Sequence, residues 1–112
     1  MSPRMAIGRL LSGYGSGMRP TAERELRSYG PASLLRGRRV LDVGCGDGRL
    51  ALGAAELAAS VVGVDPDSAA IAGARAKARS RGLRNVRFQV GAAQDLPFPS
   101  GAFDVVIFSW VL

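Results

Sequence analysis

Apolar residues along this chain fall into short runs that alternate with longer segments mixing alanine with charged residues. Four runs rich in aliphatic and β-branched residues predict strands, at residues 39–43, 61–64, 86–90 and 104–108. The segments at residues 50–59 and 66–82 predict helices, and the second has basic residues in its last turns, as the helix dipole favours. The fourth strand is continuously apolar, which is typical of a strand covered on both faces of a sheet.

The order of these elements indicates the fold class. Strands that alternate with helices are typical of an α/β domain with a parallel sheet and right-handed crossovers. We therefore expect a Rossmann-like fold with three α/β/α layers over residues 38–112. Residues 1–37 are predicted to form a flexible glycine- and serine-rich segment with short helices, one at residues 22–29 and a helical turn at residues 32–35.

The loop after the first predicted strand contains the most distinctive chemistry. Gly44, Gly46 and Gly48 occupy alternating positions, which lets the backbone turn sharply and approach a ligand with no Cβ in the way. The loop leads from the carboxyl end of a strand into a helix. We therefore expect free backbone N–H groups there to face a ligand bound in the crevice at the strand ends.

The spacing of the glycines argues against two common nucleotide-binding motifs. Counted from Gly44, a dinucleotide-binding Gly-x-Gly-x-x-Gly motif would need glycine where this chain has Arg49, and no Gly-Lys-Ser/Thr phosphate loop follows. Asp65 ends the second predicted strand and can accept hydrogen bonds from both hydroxyls of a ribose, or alternatively cap the next helix. Because NAD would use such a carboxylate equally well, Asp65 predicts a nucleoside without choosing the cofactor.

Two stretches of the chain together resemble one protein family. Residues 41–48, Leu-Asp-Val-Gly-Cys-Gly-Asp-Gly, resemble the first motif of the class I S-adenosylmethionine-dependent methyltransferases. Residues 95–106, Asp-Leu-Pro-Phe-Pro-Ser-Gly-Ala-Phe-Asp-Val-Val, resemble the segment that enters their fourth strand in the small-molecule branch. The resemblance implies S-adenosyl-L-methionine as cofactor and methyl transfer to a small molecule. Since family members continue through further strands, it also implies a domain incomplete in its C-terminal half.

The resemblance further implies roles for single residues. Gly44, Cys45 and Gly46 would line the methionine part of the cofactor through their backbones, and Asp42 would face its ammonium group. The alternative for Asp42 is a carboxylate that stabilises the turn by accepting hydrogen bonds from loop N–H groups.

The predicted adenosine site extends to later residues. Pro66 would offer an apolar contact to the adenine ring. Where the family commonly has an acidic residue against the adenine amino group, this chain has Ala92, and the missing bond is expected to weaken binding about ten- to a hundredfold. The N–H of Ala93 could still contact the ring edge, and Ser109 would lie near the sulfonium. Asp104 is expected to orient its loop rather than to act in the chemistry.

Charge and composition narrow the partners. The net charge of +6 comes from dispersed arginines on expected solvated faces, and few aromatic residues interleave with them, which argues against nucleic acid. A single cysteine, Cys45, rules out an internal disulfide and favours a reducing cytoplasm. No apolar run reaches the ~20 residues of a membrane-spanning helix. The chain has no histidine, and its pattern nominates neither a catalytic residue nor a metal site.

Other functions remain open at this point. The chain could be a non-catalytic S-adenosylmethionine-binding fragment that acts only with a partner chain, or a nicotinamide-dependent enzyme. The fourth predicted strand, with no later strand to cover it, is expected to be an apolar sheet edge through which the chain associates with itself.

Overall fold

The computed structural model describes residues 5–8, 34–92 and 101–108, the first of these as backbone. A parallel sheet organises them, with its strands in the order β1-β5-β2-β3-β4. Two helices follow β2 and β3 in the described part of the chain. The elements are β1 (Met5–Gly8), β2 (Arg39–Val43), α1 (Arg49–Ala54), β3 (Ser60–Asp65), α2 (Ser68–Ser80), β4 (Val86–Val90) and β5 (Val105–Phe108).

The helices have clear local causes. Asp67 caps α2, because its side chain accepts hydrogen bonds from the N–H groups of Ala69 and Ala70. Helix α1 is shorter than predicted. The side-chain amide of Asn85 donates hydrogen bonds to the carbonyls of Ala55 (2.7 Å) and Ala58 (3.1 Å), where the chain turns towards β3 instead of continuing the helix. Within the described ranges, neither helix has the length and apolar character needed to cross a membrane.

The two faces of the sheet carry separate apolar clusters. Both helices contribute to the larger cluster, which includes Leu52, Ile71 and Ile107, all of them buried. The smaller cluster, on the opposite face, consists of strand residues (Leu41, Val43, Val64 and Val106) and receives nothing from α1 or α2. The predicted parallel α/β fold is confirmed, whereas its third layer stays a prediction because no helix of that layer falls among the described residues.

The N-terminal strand corrects two expectations. β5 lies between β1 and β2, with Ile107 opposite Ile7 on one side and Asp42 on the other. The prediction that this strand forms a sheet edge was therefore wrong, because β1 supplies backbone partners there, and self-association through it loses its basis.

The prediction of an irregular N-terminal segment was wrong at Met5–Gly8, which joins the sheet. The helix predicted at residues 22–29 lies outside the described residues. The boundary between residues 37 and 38 stays a prediction, although β1 shows that the sheet draws on residues from both sides of it.

Candidate functional site

The candidate site lies at the carboxyl edge of the sheet, where all its parallel strands end. The chain passes from β2 outward to β3 and β4, and then returns with β5 to the other side of β2. In open α/β sheets, ligands bind in the crevice where the strand order reverses in this way. Here that crevice is bordered by Asp42, the glycine loop of residues 44–48, and Asp65.

The three loop glycines all adopt the left-handed backbone, as the sharp turn predicted (φ +76° at Gly44, +57° at Gly46 and +87° at Gly48). Their surroundings differ. A Cβ on Gly46 would meet nothing within 4 Å, so the backbone there is open to a ligand. A Cβ on Gly48 would lie 2.9 Å from both the Cβ of Ala74 and the Cζ of Phe88. Gly48 is therefore needed for packing of the loop against α2 and β4.

Four of the loop N–H groups already donate within the protein, which contradicts the expectation that they are free. Gly44 and Cys45 both donate to the carbonyl of Val64, at 2.8 and 3.0 Å. Gly46 donates to Asp65 Oδ2 at 2.9 Å, and Gly48 donates to the carbonyl of Cys45 at 3.0 Å. The prediction failed because the β2–β3 hydrogen bonding continues past the strand ends. At its glycines the loop thus offers a bare backbone surface, and the four engaged N–H groups are not free to bind a pyrophosphate.

Asp65, the last residue of β3, binds both the glycine loop and the segment that leads into α2. Its Oδ2 accepts from Gly46 N at 2.9 Å, and its Oδ1 accepts from Asp67 N at 2.8 Å. The alternative role of Asp65 as helix cap was wrong, because Asp67 performs it. No cation pairs with the half-buried Asp65 among the described residues. Each carboxylate oxygen has a second lone pair, so Asp65 can accept two further hydrogen bonds.

Asp42 is the one charged side chain that is fully buried in the described part of the chain, at 0% exposure. It lies in β2 between Gly63 of β3 and Ile107 of β5. Asp42 and Asp65, with Asp47 in the loop, place three carboxylates at this part of the carboxyl edge. Asp47 is already paired with Lys77 Nζ at 2.9 Å, so a cationic group of a ligand would be attracted mainly by Asp42 and Asp65.

The carboxylates of the site also affect the protonation of the Cys45 thiol. Its thiol is 7% exposed, and its Sγ lies 3.6 Å from the carbonyl oxygen of Gly46. Burial raises the pKa of the Cys45 thiol, and the carboxylates of Asp42 and Asp65 raise it further. The thiol consequently stays protonated at neutral pH and is no nucleophile there.

The structure brings only part of the predicted adenosine site together. Pro66 is exposed directly after β3, and Ala92 is half-buried two residues beyond β4. These two strand ends are joined, because Gly91 N donates to the carbonyl of Asp65 at 3.0 Å. Ala93 and Ser109 lie outside the described residues.

Asp104 lies at the opposite end of the sheet, the amino edge. Its carboxylate accepts from the backbone N–H of Arg39 at 2.9 Å and from the guanidinium at 3.0 and 3.2 Å. In return, Asp104 N donates to the carbonyl of Arg39 at 2.8 Å. These bonds fasten β5 to β2 and agree with the structural role predicted for Asp104.

Sequence reasoning missed Phe88, which supports the loop from below. Its ring is 4% exposed, and ring atoms lie within 3.0 Å of where a Cβ on Gly48 or Gly63 would be. Phe88 faces Gly63 in the β3–β4 register. A glycine inside an otherwise β-branched strand was the signal available, since such a glycine often marks a close approach by a neighbour.

Comparison with known proteins gives a family match. A family model described as "Methyltransferase domain" matches residues 40–112. The uncharacterized methyltransferase YcgJ of Bacillus subtilis is 41% identical over 61% of this chain and 27% of its own length. The crystal structure of YcgJ superposes with a TM-score of 0.69 at 34% identity, covering 79% of this chain and 36% of that one.

Two further proteins carry more specific names. The demethylmenaquinone methyltransferase of Thermus thermophilus is 51% identical over 62% of this chain and 32% of its own length. A phosphoethanolamine N-methyltransferase of Haemonchus contortus, in complex with phosphoethanolamine and S-adenosylhomocysteine, matches with a TM-score of 0.68 at 27% identity, over 80% of this chain and 18% of that one. The chain thus spans about a third of the length of the curated relatives it matches.

Proposed function

The chain belongs to the methyltransferase domain family, and from this premise we propose that its carboxyl edge binds S-adenosyl-L-methionine for methyl transfer to a small-molecule acceptor. The predicted resemblance to class I methyltransferases is confirmed, and S-adenosylmethionine is the cofactor of the family. The observation that carries the proposal is the bond from Gly46 N to Asp65 Oδ2. It places a carboxylate that has no basic partner among the described residues beside an open backbone bend.

Asp65 is proposed to hold the ribose. Its two oxygens are fixed by Gly46 and Asp67, so the carboxylate is oriented before any ligand arrives. The remaining lone pairs can accept from the two ribose hydroxyls, each such bond contributing about 1.5–3 kcal/mol.

Asp42 and the loop are proposed to hold the methionine part. The buried carboxyl group of Asp42 would face the ammonium group, directly or through water. Gly44, Cys45 and Gly46 would contact this part through their backbones. Because their N–H groups bond within the protein and the Cys45 carbonyl accepts from Gly48 N, the Cα atoms and the other two carbonyls are the surface available to a ligand. This surface disfavours the pyrophosphate of a nicotinamide cofactor and thereby the nicotinamide alternative.

The remaining predicted residues complete the proposed adenine and sulfonium contacts. Pro66 would pack on the adenine ring, with Ala92 and Ala93 at its edge, and Ser109 would approach the sulfonium. Ala92 lacks a side-chain acceptor, so we expect weaker binding than a carboxylate at that position would give.

The chemistry of transfer resides in the cofactor, whose sulfonium carries the methyl group. The residues of this chain bind and align, which raises the rate by proximity. The protonated Cys45 thiol contributes through its backbone and packing rather than as a reactive group. None of the described residues is nominated as a base.

The acceptor class and the compartment are further parts of the proposal. A small-molecule acceptor is supported by the demethylmenaquinone and phosphoethanolamine methyltransferases named above. A cytoplasmic location is supported by the single cysteine, which is buried and free.

Calorimetric titration with S-adenosylhomocysteine, S-adenosylmethionine and NAD tests the cofactor assignment. We expect heat with the first two and none with NAD. Asp65→Asn should weaken S-adenosylhomocysteine binding about ten- to a hundredfold. Asp67→Asn is the matched control, because it removes the same charge two residues away while asparagine still caps α2. Preferential binding of NAD by folded protein would overturn the assignment.

Transfer itself is tested with methyl-labelled S-adenosylmethionine and two simple acceptors, catechol and ethanolamine. Label in either acceptor, lost in Asp65→Asn, supports the enzymatic proposal. Binding of S-adenosylhomocysteine without transfer to either acceptor would instead favour the alternative, a non-catalytic binding fragment that acts with a partner chain.

A further inference from the structure

Contrary to the expectation of dispersed arginines, the positive charge of this protein is concentrated in one helix–strand unit. Residues 68–91, which include α2 and β4, hold six of the 15 basic residues and none of the nine acidic ones. The other nine basic residues are matched in number by acidic residues, so this unit accounts for the whole net charge of +6. An ion pair connects the unit to the glycine loop, between Lys77 Nζ and Asp47 Oδ2 at 2.9 Å.

Part of this charge surrounds a groove between α2 and the outer side of β4. The groove has a volume of about 490 Å³. Three exposed arginines, Arg75, Arg79 and Arg87, lie around it, and no acidic side chain lines it among the described residues. The main apolar surface of its floor is the half-buried Leu83, which lies beside Ala78 and Val86, themselves only 7% and 8% exposed.

Arg75 covers part of the free edge of β4, next to the groove. Its Nε and Nη2 donate to the carbonyl of Phe88 at 3.2 and 2.8 Å. Asn85 and Gly91 bond β3 through their backbones, so in the alternation of a parallel strand the Phe88 carbonyl points away from β3. Arg75 thereby caps the middle of the β4 edge against an added strand and is itself held in place.

We propose that this groove docks an acidic, partly apolar segment of another protein in an extended conformation. Arg75 and Arg79 lie one helical turn apart, about 6 Å along α2. Alternate side chains of an extended peptide repeat about every 6.6 Å, so successive carboxylates can meet successive guanidinium groups. The intervening apolar side chains then pack on the floor.

The apolar residues of the floor favour a polypeptide over a nucleic acid as the partner. A phosphate backbone would use the arginines but not Leu83 or Val86. Single-stranded nucleic acid would require accessible aromatic rings for stacking, whereas Phe88, the aromatic residue of this groove, is 4% exposed. A peptide in which acidic residues alternate with apolar ones uses both features of the groove.

The test is fluorescence anisotropy with the whole chain and a short labelled peptide in which glutamate alternates with alanine and leucine. We expect saturable binding that weakens as salt is raised. The double variant Arg79→Gln/Arg87→Gln should lose about tenfold or more in affinity. The control Arg36→Gln/Arg38→Gln removes the same charge outside the groove and should bind as the native chain does.

Three results would overturn the proposal. One is equal binding of a peptide with glutamine in place of glutamate, and another is equal loss in both double variants. The third is tighter binding of a double-stranded oligonucleotide, which would assign the surface to nucleic acid. Leu83→Asn provides a second readout, since it should weaken binding without changing the charge. None of these results depends on S-adenosylmethionine binding.

Discussion

Each end of the sheet has an aspartate that accepts a backbone hydrogen bond, but the two aspartates differ in their other partners. At each end, an aspartate accepts a hydrogen bond of 2.9 Å from the backbone N–H of a neighbouring segment: Asp104 from Arg39, and Asp65 from Gly46. At the amino edge, the Arg39 guanidinium also binds Asp104 and neutralises it, and the carboxylate in turn raises the pKa of Arg39. At the carboxyl edge, Asp65 binds only backbone N–H groups among the described residues.

This difference indicates that Asp104 stabilises the pairing of β5 with β2, whereas Asp65 can bind a ligand. A carboxylate paired with a guanidinium has little remaining capacity for a ligand, whereas one fixed by neutral N–H groups keeps its charge and its outward lone pairs. The buried Asp42 lies at the same edge, whereas the exposed Asp47 is paired with Lys77. Asp65 is thus oriented but has no basic partner among the described residues, whereas Asp104 at the amino edge is compensated by Arg39.

The largest expected effect comes from comparing one glycine at each edge. Gly48→Ala should lower the free energy of unfolding by about 3 kcal/mol, because it adds left-handed strain and forces a Cβ to 2.9 Å from Ala74 and Phe88. Gly37→Ala, at the amino edge, has the strain (φ +70°) but open space, and should lose about 1–2 kcal/mol. Urea unfolding measures both, and equal losses would contradict the packing role of Gly48.

The second prediction exchanges the two aspartates. Asp65→Asn should reduce S-adenosylhomocysteine affinity about ten- to a hundredfold. Asp104→Asn should lower the urea midpoint, since it weakens the β2–β5 fastening, and should leave that affinity unchanged. Calorimetry and urea unfolding of both variants check this. If Asp104→Asn impaired binding as strongly as Asp65→Asn, the distinction between the two ends would be wrong.

A third and smaller effect concerns pH. Because the pKa of the Cys45 thiol is raised in the folded protein, the unfolded chain loses its thiol proton first as pH rises. The free energy of unfolding should therefore fall above the unfolded thiol pKa of ~8.5, by up to about 1.4 kcal/mol per pH unit. Comparison with Cys45→Ala isolates this contribution. The native thiol should also react slowly with a disulfide reagent, and rapid labelling of folded protein would contradict a buried thiol beside two carboxylates.

The smallest expected effect is at the exposed ion pair between Lys77 and Asp47. Lys77→Gln should change the free energy of unfolding by less than about 0.5 kcal/mol, because both side chains are about half exposed. Lys77→Arg keeps the charge and serves as the control. A change larger than the one caused by Gly37→Ala would mean that this pair holds the glycine loop on α2.

Much of the architecture could be predicted locally. The bounds of β2 and β4 follow from their apolar runs, and the loop glycines adopt the backbone that their spacing predicted. The parts that could not be predicted depend on distant partners. The strand at Met5–Gly8 and the engaged loop N–H groups require β5 and Val64, respectively, which are far away in the sequence. The length of α1 likewise depends on Asn85.

From β2 onward, the sequence by itself determined the order of the elements, the bend after β2 and the positions of Asp42 and Asp65 near strand ends, because these follow from periodicity and from the backbone freedom of glycine. The tertiary structure alone decided which carboxylate is neutralised. That outcome depends on register: β2 and β5 align Arg39 with Asp104 at one end of the sheet. At the other end, Asp65 accepts from the N–H groups of Gly46 and Asp67 and meets no basic side chain in the part of the chain that the structure describes.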